Sequence, residues 1–317
     1  MRIDVPRARV APPSDPPRAR AALPDDTRPV RRPGRWWRFL QHPLTRILVA
    51  TSMIGAVAVA VQLIAFALGA EPRSPLGSAL GLVLAGSIVA VYVAFVHRVE
   101  RRRVVELGFD RATGELARGF LLGLALCGTT VLVLWLVGVC TIERGGGWAA
   151  MLPGLCIAVS AGVAEEILLR GVVFRIVEER LGSWIALALS AAIFGLLHGL
   201  KPGASIASVL AIALEAGVLL AAAYMYTRRL WLPIALHAAW NFAQLGIFGV
   251  RAADNAEPGL LSTQFTGDAI LTGGAYGPDL SVVTIALCLA AAAVLIELAR
   301  MRRTVVRPPW MTSRALN

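Results

Sequence analysis

Apolar residues in this chain run in nearly unbroken stretches of about 20, each long enough to cross a hydrocarbon core of roughly 30 Å as a helix. Eight such runs are legible, at 44–70, 75–96, 118–140, 149–174, 183–200, 204–226, 230–250 and 280–299. Nothing alternates with the period of two that a membrane barrel requires. The pattern predicts an all-α polytopic membrane protein, a bundle of about eight transmembrane helices occupying 44–300.

Composition agrees with the pattern. The 317 residues are 57% apolar and 16% charged, where a soluble domain has about 45–50% and about 25%. A water-soluble enzyme, a disordered chain and a disulfide scaffold are thereby excluded. The four cysteines, Cys127, Cys140, Cys156 and Cys288, lie inside apolar runs without metal spacing, and they read as small core hydrophobes. Residues 1–43 hold ten Arg, four acids and many Pro. Such a segment lacks the apolar surface to fold and predicts a disordered cytoplasmic tail. It is too long for the n-region of a cleaved signal peptide, so 44–70 is expected to be a retained first span. A second, basic cytoplasmic tail is expected at 301–317.

The net charge of +11 invites a nucleic-acid partner, but its distribution points to a lipid bilayer instead. The tail, 97–118, 175–182, 227–229 and 300–317 contain 25 Arg, whereas 71–74, 141–148, 201–203 and 251–279 contain 4 Arg or Lys. This positive-inside bias predicts that both termini are cytoplasmic. Segment 171–182 reads as an amphipathic continuation of the fourth span along the cytoplasmic interface. The long outer loop 251–279 shows no catalytic pattern. The pairs Gly77/Gly81, Gly119/Gly123 and Gly195/Gly199 have the spacing of close helix contacts.

Ionisable groups at membrane depth are costly and mark function. Glu165, Glu166, Arg170, His198, Glu215 and His237 qualify, with the amide of Asn241 beside them. Glu166 and Arg170 are four apart on one helix face and predict an ion pair. Glu165 is rotated about 100° away, without that partner, and is a carboxylate suited to general-base chemistry. His198 shares a face with Phe194, and alone it equally suits a hydrogen bond to a neighbouring helix. His237 and Asn241, again four apart, converge on one point where they bind a polar ligand, coordinate an ion or stabilise an oxyanion. Glu215 reads as a structural pair and Glu297 as a snorkelling end residue. HExxH, paired GxGD aspartates and a GxS serine motif with a matching His are absent, which leaves a carboxylate–histidine constellation.

Glu165-Glu166-Ile-Leu-Leu-Arg170, Phe194-Gly-Leu-Leu-His198 and His237-Ala-Ala-Trp-Asn241 resemble the EExxxR, FxxxH and HxxxN motifs of the CPBP intramembrane proteases, the CAAX protease and bacteriocin-processing family. The resemblance covers about 118–250, with the three motifs in order on three predicted spans. It implies a bundle of about eight helices in which Glu165 and His198 activate water while His237 and Asn241 form the oxyanion hole. Glu166, Arg170 and Phe194 take supporting positions. The resemblance leaves the cofactor open: the Glu–His water mechanism needs none, whereas Glu165, His198 and His237 also satisfy a catalytic zinc site with one open position.

The function so implied is an intramembrane endopeptidase acting on a protein or peptide substrate, in a cavity reached from the cytoplasm or the bilayer. The alternatives are a non-catalytic scaffold or bacteriocin self-immunity protein, and a proton-coupled transporter, for which inverted repeats and broken helices at matched positions are missing. The Ala/Arg-rich composition points to a bacterial inner membrane. One feature conflicts: counted at about 1.5 Å per residue, Glu165 and His237 lie about 13 and 10 Å from the cytoplasmic ends of their spans. By the same count His198 lies about 22 Å from its own, so a tilted fifth span or a membrane entry later than residue 183 is required.

Overall fold

The structure, a computed structural model, describes residues 34–201, 203–251 and 257–312. The first 33 residues of the expected disordered tail therefore lie outside it, as do the last five of the C-terminal tail. Within the expected N-terminal tail, Arg35–Leu40 forms a short helix, α1. Proline then starts both of the next helices, where its missing N–H leaves no extra bond unmade: α2 (Pro43–Ala67) and α3 (Pro75–Phe95), the latter capped by Ser74. After α4 (Ala112–Leu136) the chain forms strand β1 (Cys140–Arg144). Helices α5 (Trp148–Glu166) and α6 (Arg175–His198) are joined without interruption by a π-helical segment, 167–174.

Helices α7 (Ile206–Ile212) and α8 (Val218–Thr227) are likewise joined by a π segment, 213–217. Helix α9 (Trp231–Phe242) passes into a π segment at 243–248. Strand β2 (Leu261–Phe265), α10 (Ala269–Thr272), α11 (Val282–Met301) and α12 (Pro309–Thr312) complete the chain.

Among the described residues, six helices are long and apolar enough to cross a membrane: Pro43–Ala67, Pro75–Glu100, Ala112–Leu136, Trp148–His198, Ile206–Thr227 and Val282–Met301. The difference from the expected eight has two causes. The fourth and fifth runs form one helical stretch of 51 residues, broken only at Gly182 (φ 77°, ψ 169°), where a Cβ would meet Pro308 at 2.9 Å. The seventh run, α9 and its π extension, carries His237, Asn241 and Gln244, which dilute its apolar character, and it lies in the middle of the bundle.

Three further expectations are corrected. The chain is not purely helical, because β1 and β2 pair antiparallel in the register Cys140↔Phe265 to Arg144↔Leu261. The two strands satisfy each other's backbone groups where the loops leave the bundle. Segment 171–182 does not lie along an interface: Val172, Phe174 and Ile176 are fully buried core residues, and Arg175 and Glu178 are buried beside them. The depth conflict also dissolves. Because the helical stretch that begins with α5 runs on past 174 to Gly182, Glu165 and His198 stand seventeen residues before and sixteen after the same hinge.

Packing is tightest around α9, which lies against α4 and α5. At Gly119 and Gly123 a Cβ would approach those of Ala235 and Ala239 to 2.9 and 2.8 Å, so the two glycines let the α4 and α9 backbones touch. All four cysteines are free and buried. At the Arg-rich end an ion network ties four segments together. Glu100 holds Arg46 and Arg175 (2.7 Å), Glu179 holds the same two arginines at 2.5 and 2.9 Å, and Arg228 pairs with Glu178.

Candidate active site

Glu165 and Glu166 end α5 at the start of the π segment 167–174. π insertions recur at functional sites because they re-aim side chains on an otherwise regular helix. Glu166 turns inward: Arg170 Nη1 donates to its Oε1 at 2.8 Å, and both side chains are fully buried. The same guanidinium donates through Nη2 to the Gly217 carbonyl at 2.9 Å, which couples the π segment of α5–α6 to that of α7–α8.

His237 reaches this pair from α9. Its Nδ1 lies 3.1 Å from Glu166 Oε1 and its Nε2 lies 4.0 Å from Glu165 Oε2. The imidazole is therefore held on one side by the buried Glu166–Arg170 pair and faces Glu165 with the other. Glu165 remains one-third exposed, in keeping with its rotation away from the ion pair.

Phe194 is the spacer between these groups. Its ring stacks on His198 (centroids 4.6 Å apart, 19° between planes), lies 5.8 Å from the ring of His237, and sits 5.1 Å from the Arg170 guanidinium. His198, the last residue of α6, has Nδ1 3.0 Å from the Phe194 carbonyl. That bond fixes the ring and leaves Nε2 as its remaining functional nitrogen.

Glu165, Phe194, His198, His237 and Asn241 line one cavity of about 550 Å³, the size of a ligand pocket. Glu166 and Arg170 stand behind its wall. Three wall residues went unrecognised as site residues. Glu215, expected to be purely structural, is buried yet faces the cavity. Gln244 continues the His237–Asn241 face of α9 and, with Trp240 Nε1 (3.3 Å), donates to Asp279. Asp279 comes from the outer loop in which the sequence shows no pattern. Burial pushes its carboxyl above the usual range against the opposing Gln244 hydrogen bond. The spacing of Gln244, three residues after Asn241, was the one available signal.

Among the described residues, no three His, Cys, Asp or Glu side chains group as a metal-binding set. As arranged, Glu165, His198 and His237 do not form such a set.

A polar cavity holding carboxylate, imidazole and amide groups thus lies inside a bundle of apolar helices long enough to cross a membrane. Residues 146–243 match the family model described as Rce1-like, type II CAAX prenyl endopeptidase. The match supports the CPBP/CAAX protease family, a peptidase family, and its span contains α5 to α9 and so all three motifs. Neither a curated protein nor a solved structure matches the chain.

Proposed function

We propose that this protein is an intramembrane endopeptidase that hydrolyses a peptide bond of a protein or peptide substrate with water. Glu165 takes a proton from water as the oxygen attacks the scissile carbonyl, and His198 holds that water from the facing helix. The oxyanion so formed accepts hydrogen bonds from the Asn241 amide and from His237 Nε2–H. That donation requires a doubly protonated ring, whose charge lies between Glu165 and Glu166. The proton on Glu165 passes to the leaving nitrogen as the C–N bond breaks, which leaves a new carboxyl terminus and a new amine.

The observation that carries this reading is the shared cavity. Glu165 and His237 Nε2 face each other across 4.0 Å at the wall that His198 and Asn241 also line, while His237 is fixed from behind by a buried ion pair. A scaffold has no need of a one-third-exposed carboxylate opposite an oriented imidazole. The site belongs to a multi-pass protein whose eight helical runs we take as spans, with both termini in the cytoplasm and the chain in a bacterial inner membrane. Profiling protein termini in membranes from cells carrying the native chain or Glu165→Ala tests the proposal. Termini that appear only with the native chain support it, and identical profiles reject it.

A further inference from the structure

The cavity extends towards one end of the bundle. The chain enters and leaves the bundle at two opposite ends. One end holds the connections after α3, between α8 and α9 and at the Gly182 hinge, and the other holds 68–74, 199–205 and 249–281, together with 137–147, which is paired to the last of these through β1 and β2. Besides catalytic groups, the cavity is lined by Glu71 and Arg73 from the first of these latter connections, Lys201 from the second, and Glu257, Tyr276 and Asp279 from the third. Three of the four connections at that end line the same cavity.

The opposite end is closed. Directly behind Arg170, the Gly171 carbonyl accepts hydrogen bonds from Tyr92 Oη (3.1 Å) and Arg175 Nε (2.8 Å). Tyr92 also bonds Glu106, which Arg102 holds at 2.6 Å. Beyond this layer lie the Arg46–Glu100–Arg175–Glu179 network and the Arg228–Glu178–Ser183 cluster, to which the C-terminal segment is fastened by Val306 N donating to Ser183 Oγ at 2.8 Å. Passage from that end requires dismantling several buried ion pairs, each costly to break.

The closed end is also the Arg-rich end. The connections there carry 10 Arg and the chain's terminal segments 15, against 4 Arg or Lys at the open end, and this bias assigns the closed end to the cytoplasm. We infer that the cavity is entered from the non-cytoplasmic side of the membrane, and that its substrate is a polypeptide segment presented at that surface, such as the outer end of a membrane span or an exported peptide. This rests on the proteolytic reading for the word substrate, but not for the direction of entry. It makes a segment outside the cytoplasm the target and departs from the access from the cytoplasm or the bilayer that the sequence suggests.

Entry is testable without turnover. In the full chain carrying Cys288→Ala, which removes the native thiol on the cavity wall, Ala161→Cys places a small thiol one helical turn before Glu165 on the same wall. Arg103→Cys marks the closed end. A charged, membrane-impermeant methanethiosulfonate is added to intact spheroplasts and, separately, to inverted membrane vesicles, with the Cys288→Ala parent as background. Modification of Ala161→Cys in spheroplasts together with Arg103→Cys only in inverted vesicles is expected, with at least about a tenfold preference in each case. Ala161→Cys modified only in inverted vesicles, or from neither side, overturns the inference. Labelling does not depend on Glu165, so repeating it in Glu165→Gln keeps failure of entry distinct from failure of catalysis.

Discussion

His237 Nδ1 lies 3.1 Å from Glu166 Oε1, on the same carboxylate oxygen that accepts Arg170 Nη1 at 2.8 Å. One buried oxygen thus joins α9 to the π segment that follows α5, and it fixes which imidazole nitrogen faces Glu165. The EExxxR motif divides its labour accordingly: the second Glu and the Arg position the histidine, and the first Glu faces the reacting groups.

Arg170→Ala removes the main counter-charge of a fully buried carboxylate, a change that costs about 3–5 kcal/mol. His237 remains as a partner for Glu166, so the loss is expected at the lower end. It should appear as reduced accumulation and a lower Tm in detergent. The double variant Glu166→Gln with Arg170→Met removes both charges and should recover part of the Tm, while activity stays low because the ring of His237 is no longer held. Full activity in the double variant would show that this pair does not position the site.

The closed end makes a prediction about acid. Burial pushes Glu106 upward, but hydrogen bonds from Arg102 and Tyr92 and the charge of Arg102 outweigh it and hold this carboxyl below its ordinary 4.5. A lowered pKa in the folded state contributes stability that is complete above about pH 4.5 and disappears as pH falls through the folded value. Glu106→Gln should therefore lower stability at neutral pH by about 1–3 kcal/mol, the worth of hydrogen bonds to a charged group. The gap between native and variant Tm should close below pH 4. A gap independent of pH would assign Glu106 a packing role alone.

Much of this arrangement is readable from residue spacing. The Glu166–Arg170 pair, the diverging direction of Glu165 and the shared face of His237 and Asn241 follow from 3.6 residues per turn, and the Gly119/Gly123 spacing foretells the α4–α9 contact. The link from His237 to Glu166 does not follow, because 71 residues separate them and only the bundle brings them together. Asp279 escaped for the same reason, being a loop acid whose partners lie on α9. Continuous π segments have no hydrophobic signature, so the end of the fourth run was set at 174 when the helix carries on to Gly182. The β1–β2 ribbon consists of five-residue strands too short to register against 20-residue apolar runs.

Asn241 lines the cavity beside His237 as an amide donor. Asn241→Ala should lower kcat by about 10²–10³, the usual value of one oxyanion donor, with KM and Tm nearly unchanged. Steady-state kinetics on a cleaved peptide found by terminal profiling would measure this. A rise in KM at constant kcat would make Asn241 a substrate-binding residue instead.

The central claim is that the Glu165 carboxylate is the general base. Glu165→Gln keeps the size and hydrogen-bonding capacity of the side chain and removes only its basicity. The decisive measurement is the cleavage rate of purified native and Glu165→Gln protein on one peptide in one detergent, alongside their thermal melts. The account predicts a fall of about 10²–10⁴ in rate, the usual contribution of a positioned base, at an unchanged Tm. A folded Glu165→Gln protein that cleaves at the native rate would contradict it and place the catalytic base elsewhere.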